Sequence, residues 1–167
     1  MSLSPVYVSV GSNIDRENMV ISCLNMLRDR FGEVTHSSVY ESIAVGFTGN
    51  NFFNMVVKFN AEDPLYVIEV LKDIEQQHGR QRNEKKFAPR TLDLDLLLFG
   101  QLDLHDQGID VPREEITRYA FVLGPLSELA PQEHHPTAHA TFADLWTTFC
   151  VQYPTQADSI WPVSLAL

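Results

Sequence analysis

The chain has 167 residues, 44% hydrophobic and 20% charged, with a formal net charge of −10. That composition suits one globular domain with a sizeable core, and the acidity argues against general nucleic-acid or anionic-membrane binding, which needs broad positive surface. No apolar run reaches membrane-spanning length, no basic n-region opens the chain, and Cys23 and Cys150 fit no metal-ligand or CxxC spacing, so a cytoplasmic protein with reduced thiols is expected.

In chain order, residues 5–10 (PVYVSV) predict a strand that stops at Gly11-Ser12-Asn13. Asp15 then opens a helix with Val20, Cys23, Leu24, Leu27 and Phe31 at helical spacing, closed by Gly32. Residues 34–40 alternate weakly as a second strand, and 52–59 (FFNMVVKF) form a third. A second helix has cleaner signals. Asp63 caps it, Pro64 takes the first helical position, Val67, Val70, Leu71 and Ile74 make its buried stripe, and Gly79 ends it. A fourth strand begins near Leu92. The order β-α-β-β-α-β predicts an α+β, ferredoxin-like core, two helices on one face of an antiparallel sheet. Beyond it, 101–104 and 109–111 read as an extra β-hairpin. Glu114–Leu129 reads as two helical pieces broken near Gly124-Pro125, and 141–149 as another helix. The whole, 1–167, reads as a single domain with its core at about 5–149 and an irregular tail over 150–167.

Residues 79–99, GRQRNEKKFAPRTLDLDLLLF, carry the chemistry. Asp93 and Asp95 alternate with Leu92, Leu94 and Leu96, so a strand puts both acids on one face. Leu97, Leu98 and Phe99 then fill both faces, as in an inner strand. Just upstream lie Arg80, Arg82, Lys85, Lys86 and Arg90, five of the chain's 12 Lys and Arg residues. A charge-rich loop is ordinarily just solvated, and alternating acids ordinarily mark a wet face. Their adjacency favours function instead: hard carboxylate oxygens suit Mg²⁺, and guanidinium forks suit the phosphates of a nucleoside triphosphate. No Walker A or GxGxxG motif is present.

The run Ala88–Leu97 closely resembles the signature of the 6-hydroxymethyl-7,8-dihydropterin pyrophosphokinase family. Tyr7–Asn13, Phe53-Asn54, Glu75–Arg82 and Phe121–Leu126 are similar to further parts of it, so the likeness covers roughly 5–149. The resemblance implies Mg²⁺-dependent transfer of pyrophosphate from ATP to the hydroxymethyl group of a reduced pterin, leaving AMP, with ATP and the pterin as the only partners of a monomer. It further implies that Asp93 and Asp95 hold two Mg²⁺ ions and that Arg80 and Arg90 grip phosphates. Arg82, Lys85 and Phe87 would belong to a mobile loop closing over ATP. The pterin would stack between Phe52 or Phe53 and Phe121, with Asn54 reading the ring edge, Ser42 and Gly46 beside it, and Asp93 also among its contacts. Glu75 reads equally as a family residue or an ordinary solvent-facing acid.

One segment departs from the family pattern. Where the family carries His-Pro after Val-Pro, and then an Arg two residues before the Phe, this chain has Arg113 and Tyr119, with Arg118 one place early. Arg113 and Arg118 are the remaining candidates for ATP phosphates, and Glu114 and Glu115 fit there only if they point away. A non-catalytic pterin or nucleotide sensor, and the same chemistry on a different pterin, stand as alternatives. A separate cluster, Glu133-His134-His135 with His139, has metal-like spacing interrupted by Pro136, which favours a polar loop.

Overall fold

Residues 2–43, 50–79 and 92–167 are described by the computed structural model. Strand β1 (Ser4–Ser12) leads to helix α1 (Arg16–Phe31), the short strands β2 (Thr35–His36) and β3 (Val39–Ser42), strand β4 (Phe52–Ala61), helix α2 (Pro64–Gln77) and strand β5 (Asp93–Phe99). Helices α3 (Ala120–Leu129), α4 (Phe142–Gln152) and α5 (Pro154–Ala157) follow, and strand β6 (Ile160–Val163) ends the order. Strand neighbours run β5-β1-β4-β3-β6, with β2 also on β4, and every pairing is antiparallel. Each crossover helix therefore skips one strand: α1 links β1 to β3 around β4, and α2 links β4 to β5 around β1. These are the interleaved split βαβ units of the ferredoxin-like core.

Period-two patterning builds the layers. Val6, Val8 and Val10 of β1 face α1 and α2, joining Leu24, Leu27, Val67, Val70 and Ile74 in one apolar cluster. Tyr7 faces the other way, joining Val56, Leu97 and Leu98 under α3 and α4 in a second cluster. The sheet is thus covered on both faces. Helix α2 follows its sequence signals closely, with the Asp63 carboxylate accepting from the Leu65 amide at 3.0 Å and Gly79 at φ +86°. Asp15 precedes α1 in the left-handed region, and its side chain accepts from Asn18 rather than from a helix amide.

The strand expected over 34–40 is two, because the Ser37 hydroxyl accepts the Val56 amide at 3.0 Å and interrupts the ladder. Strand β5 is not an inner strand; it lies at the edge of the sheet. Its apolarity comes from the layers above and below, and its outer edge is covered: Glu75 takes the Leu94 amide and the Arg113 amide donates to the Leu97 carbonyl. The register with β1 slips by one residue, Tyr7 facing Leu98 and Val8 facing Leu96, so Leu97 and Leu98 share a face while Leu96 and Phe99 share the other.

The hairpin expected over 101–111 does not form. A 3₁₀ turn (His105–Gln107) closes on Gly108 at φ +77°, and the His105 ring bridges Asp103 and Asp110 at 2.6 and 3.0 Å. Glu114–Thr117 is a 3₁₀ turn, and α3 then runs unbroken through Gly124-Pro125, so the break falls at Arg118-Tyr119 instead. Tertiary packing outweighs the Gly-Pro signal here. A Cβ on Gly124 would sit 2.8 Å from Ile160 and 3.3 Å from Trp146, so the helix is seated where only glycine fits. The tail is not irregular throughout: β6 pairs with β3, Ile160 opposite Ser42 and Trp161 opposite Glu41. Pro162 is tolerated because β6 is an edge strand. No helix among the described residues is long and apolar enough to cross a membrane.

Candidate active site

Strand register carries the candidate groups onto one face. Gly11 lies opposite both Asp93 and Asn54, and Asn54 opposite Tyr40, so Asp93, Gly11, Asn54 and Tyr40 form one row across four strands. Asp95, Ser9 and Val56 form the next row. Asp93 and Asn54 are two strand spacings apart, about 10 Å. A flat ring lying along that row has an amide at one end and carboxylates at the other.

The amide end is set by hydrogen bonding and by missing bulk. The Asn54 side chain is 4% exposed and donates to the Ser42 hydroxyl at 2.6 Å. A Cβ on Gly11 would stand 3.3 Å from Asn54 Oδ1, so glycine here keeps the amide in place. Phe52 shares this face with Asn54 by alternation. Phe53 does not: it is 4% exposed in the core beneath α1, with the Arg16 guanidinium 3.9 Å from its ring centroid. Of the two phenylalanines left open by the sequence, Phe52 alone lies on the candidate face. Phe121, in the first turn of α3, is half-buried and stacks on Tyr119 at 5.0 Å between centroids.

At the acid end, Asp95 is held as a strained charge. Burial, then the neighbouring Asp93 carboxylate, push its pKa up to about 7; Arg113 opposes this, while Glu115 and Glu75 add to it. Arg113 Nη2 lies 3.3 Å from Asp95 Oδ1 and 3.4 Å from Glu115 Oε1. Its Nε is buried without a hydrogen-bond partner among the described residues, an unmet donor beside a site expected to take anions. Two carboxylates with surplus negative charge and hard oxygen donors suit a divalent cation, and Arg113 offsets only part of that charge.

Beside Asp95 and Arg113 lies a cavity of about 340 Å³ with Ile68, Leu71, Ile109 and Val111 among its walls, and with Lys72 and Glu75 at its polar side. Glu75 is therefore no solvent-facing acid. Its Oε2 accepts the Leu94 amide at 2.9 Å, tying the end of α2 to the acid-bearing strand. Ile109 and Lys72 carry no local signal for this site, because only the packing of the 104–113 loop against α2 brings them together; Glu115, expected to point away, instead turns inward to Arg113. Gly11 escaped because it read as the start of a turn, whereas β1 continues through Ser12.

Arg118 is not brought to the acids. Its side chain is 63% exposed and pairs with Glu114 at 3.6 Å. The two glutamates thus divide: Glu114 turns outward with Arg118, and Glu115 pairs inward with Arg113. Arg80, Arg82, Lys85, Phe87, Arg90 and Gly46 lie outside the described residues. The His134–His139 segment is a turn: His135 Nδ1 accepts the Thr137 and Ala138 amides, both at 3.1 Å, and burial pulls its pKa down. No group of three or more metal-binding side chains occurs among the described residues, there or elsewhere.

Known proteins share both the sequence and the fold. The sequence profile of the 7,8-dihydro-6-hydroxymethylpterin-pyrophosphokinase family matches residues 7–131. The 2-amino-4-hydroxy-6-hydroxymethyldihydropteridine pyrophosphokinase of Bacillus subtilis is 36% identical over 131 residues, covering 75% of this chain and 78% of that one. Its Pseudomonas aeruginosa counterpart is 36% identical over 141 residues, covering 78% and 83%. A crystal structure of an HPPK-DHPS in complex with substrates aligns with a TM-score of 0.76 at 12% identity, covering 98% of this chain and 47% of that one. A Plasmodium falciparum HPPK-DHPS with pterin and p-hydroxybenzoate aligns at 0.74 and 14% identity, again with 98% and 47% covered. This chain spans about half the length of those solved proteins, and that likeness carries the fold alone. Taken with the identity to the bacterial enzymes, the profile match establishes that the chain belongs to the 7,8-dihydro-6-hydroxymethylpterin-pyrophosphokinase family, ATP-dependent diphosphokinases of folate biosynthesis.

Proposed function

We propose that the face formed by β5, β1 and β4 is where this chain transfers pyrophosphate from ATP to 6-hydroxymethyl-7,8-dihydropterin. The observation that carries the reading is the single cross-strand row that sets the Asn54 amide two strands from Asp93 across Gly11, Asp95 lying one row further along the same strand. The pterin ring lies along this row between Phe52 and Phe121. Asn54, steadied by Ser42, reads its donor and acceptor edge, and the hydroxymethyl arm points toward Asp93.

The cavity beside Asp95 takes the nucleotide, its apolar wall suiting a base and its Lys72 and Arg113 side suiting phosphate. The substrate hydroxyl oxygen bonds to the β-phosphorus as the bond from that phosphorus to the α–β bridging oxygen breaks. AMP leaves with the bridging oxygen, and the hydroxyl proton is released to water. Arg113, through its unmet Nε and its Nη2, bears on the charge spreading over the phosphate oxygens. Asp93 and Asp95 hold Mg²⁺, two ions in this reading, which when bound neutralise phosphate charge and keep Asp95 ionised. One copy of the chain carries all these groups, so it acts as a monomer, in the cytoplasm, where the free thiols Cys23 and Cys150 also fit.

The test is direct. Incubation with ATP, Mg²⁺ and 6-hydroxymethyl-7,8-dihydropterin is expected to yield AMP and the pterin diphosphate in equal amounts. Pterin binding without AMP would instead favour a sensor, and turnover only with another pterin would move the substrate.

A further inference from the structure

Helix α3 begins at Ala120 without a cap of its own. Tyr119 occupies the N-cap position, and its side chain accepts no bond from the helix amides. The Tyr119 carbonyl serves as acceptor for the Val122 and Leu123 amides. The first amide is met from 36 residues away, where Gln156 Oε1 of α5 accepts Ala120 N at 2.8 Å. A distant side chain therefore does what a Ser, Thr, Asp or Asn before the helix would ordinarily do. Phe121 is the next residue. The same C-terminal segment continues into β6, where Ile160 lies opposite Ser42, the residue bonded to Asn54, and packs against Gly124 in the middle of α3.

We infer that Gln156 is a positioning residue for the pterin: through its bond to Ala120 it holds Phe121 at a set distance from the Asn54–Ser42 end of the site. The inference rests on the reading of Phe121 and Asn54 as pterin contacts. Gln156 itself touches neither substrate; it acts through α3. The ATP side has its own contacts, Glu75 on the Leu94 amide, Arg113 on Asp95 and on the Leu97 carbonyl, and none of them uses Gln156, so loss of the bond is expected to fall on the pterin and spare ATP.

Three substitutions separate this role from simple structural support. Gln156→Glu keeps an oxygen acceptor at the same reach, Gln156→Asn keeps the amide but falls about 1.5 Å short, and Gln156→Ala removes both. With Gln156→Asn and Gln156→Ala, the Kd and KM for 6-hydroxymethyl-7,8-dihydropterin are expected to rise roughly fivefold to tenfold, the size of a lost N-cap. The KM for ATP stays as in wild type, and Gln156→Glu restores pterin binding. In a Phe121→Ala background the Gln156→Asn penalty on pterin disappears. Equal weakening toward ATP and pterin, a fall in melting temperature with pterin affinity unchanged, failure of Gln156→Glu to restore binding, or additive effects with Phe121→Ala each overturn the inference. A wild-type protein that binds no pterin overturns the pterin site as well, so the two failures are told apart by the wild-type control.

Discussion

The two faces of the sheet come from the same strands and differ in what covers them. Toward α1 and α2, Val6, Val8, Val10, Met55, Val57, Phe59, Leu94 and Leu96 are buried and wholly apolar. Toward α3 and α4, only the Tyr7–Leu98 end is sealed that way; at the Gly11–Asp93 end the face carries Asn54, Ser42 and the two acids. Alternation in β5 divides the roles residue by residue: Leu94 and Leu96 bury apolar side chains, while Asp93 and Asp95 place carboxylates on the opposite face, Asp95 at the cost of desolvating its charge. One face thus holds the stability and the other gives part of it up, since a carboxylate raised to about 7 is a charge the metal-free fold disfavours.

The contrast breaks most sharply at Asp95. Asp95→Asn removes charge where the proposed site brings a metal and phosphates together, so AMP formation is expected to fall by about three orders of magnitude, corresponding to several kcal/mol. The same change stabilises the metal-free protein at neutral pH. Because the folded pKa lies above the usual carboxylate value, the wild-type protein binds a proton there that the unfolded chain has released. Stability from this group is therefore full below about pH 4 and declines up to about pH 7. Melting curves in chelator at pH 8 should show Asp95→Asn higher by a few degrees, the gap closing near pH 4 and on adding Mg²⁺ to wild type. A variant less stable than wild type at pH 8 would mean that the acid is not strained.

On the opposite face the expected pattern reverses. Phe59 is 1% exposed and stacks on Phe31 at 4.0 Å, so Phe59→Ala should cost about 3–5 kcal/mol of stability. Denaturant unfolding measures that loss, and both KM values of the folded fraction should stay near wild type. A selective loss of pterin affinity would join the two faces functionally.

Smaller effects sharpen the site's edge. Arg113→Ala removes the cation beside Asp95 and its unmet donor, and a charge-assisted hydrogen bond of roughly 1.5–3 kcal/mol predicts a ten- to hundredfold drop in kcat. The pterin Kd should hardly change, and Mg²⁺ alone should bind more tightly once its competitor for Asp95 is gone, as calorimetry would register. The smallest effect is expected of Arg118→Ala. Its exposed pair with Glu114 is worth about 0–1 kcal/mol at most, and activity should stay within about twofold of wild type. A large loss there would mean that Arg118 turns inward when ATP binds.

The sequence by itself determined the core order, the second helix with both its ends, and the acid pair, because those rest on local periodicity and caps whose physics does not depend on distant residues. The family signature around Asp93 and Asp95 was legible for the same reason. Tertiary structure alone decided what depends on neighbours far along the chain. Phe52 rather than Phe53 lies on the candidate face because it shares that face with Asn54, which Ser42 holds there. Arg113 rather than Arg118 meets Asp95 because the Arg113 amide is held on the Leu97 carbonyl. Gly124-Pro125 continues a helix, where the dipeptide alone predicts a break, because Ile160 and Trp146 pack against it. A tail with no periodicity of its own becomes an edge strand because β3 offers it an unpaired ladder. Local signals specify elements, whereas long-range pairings select which of two equally patterned residues reaches the site.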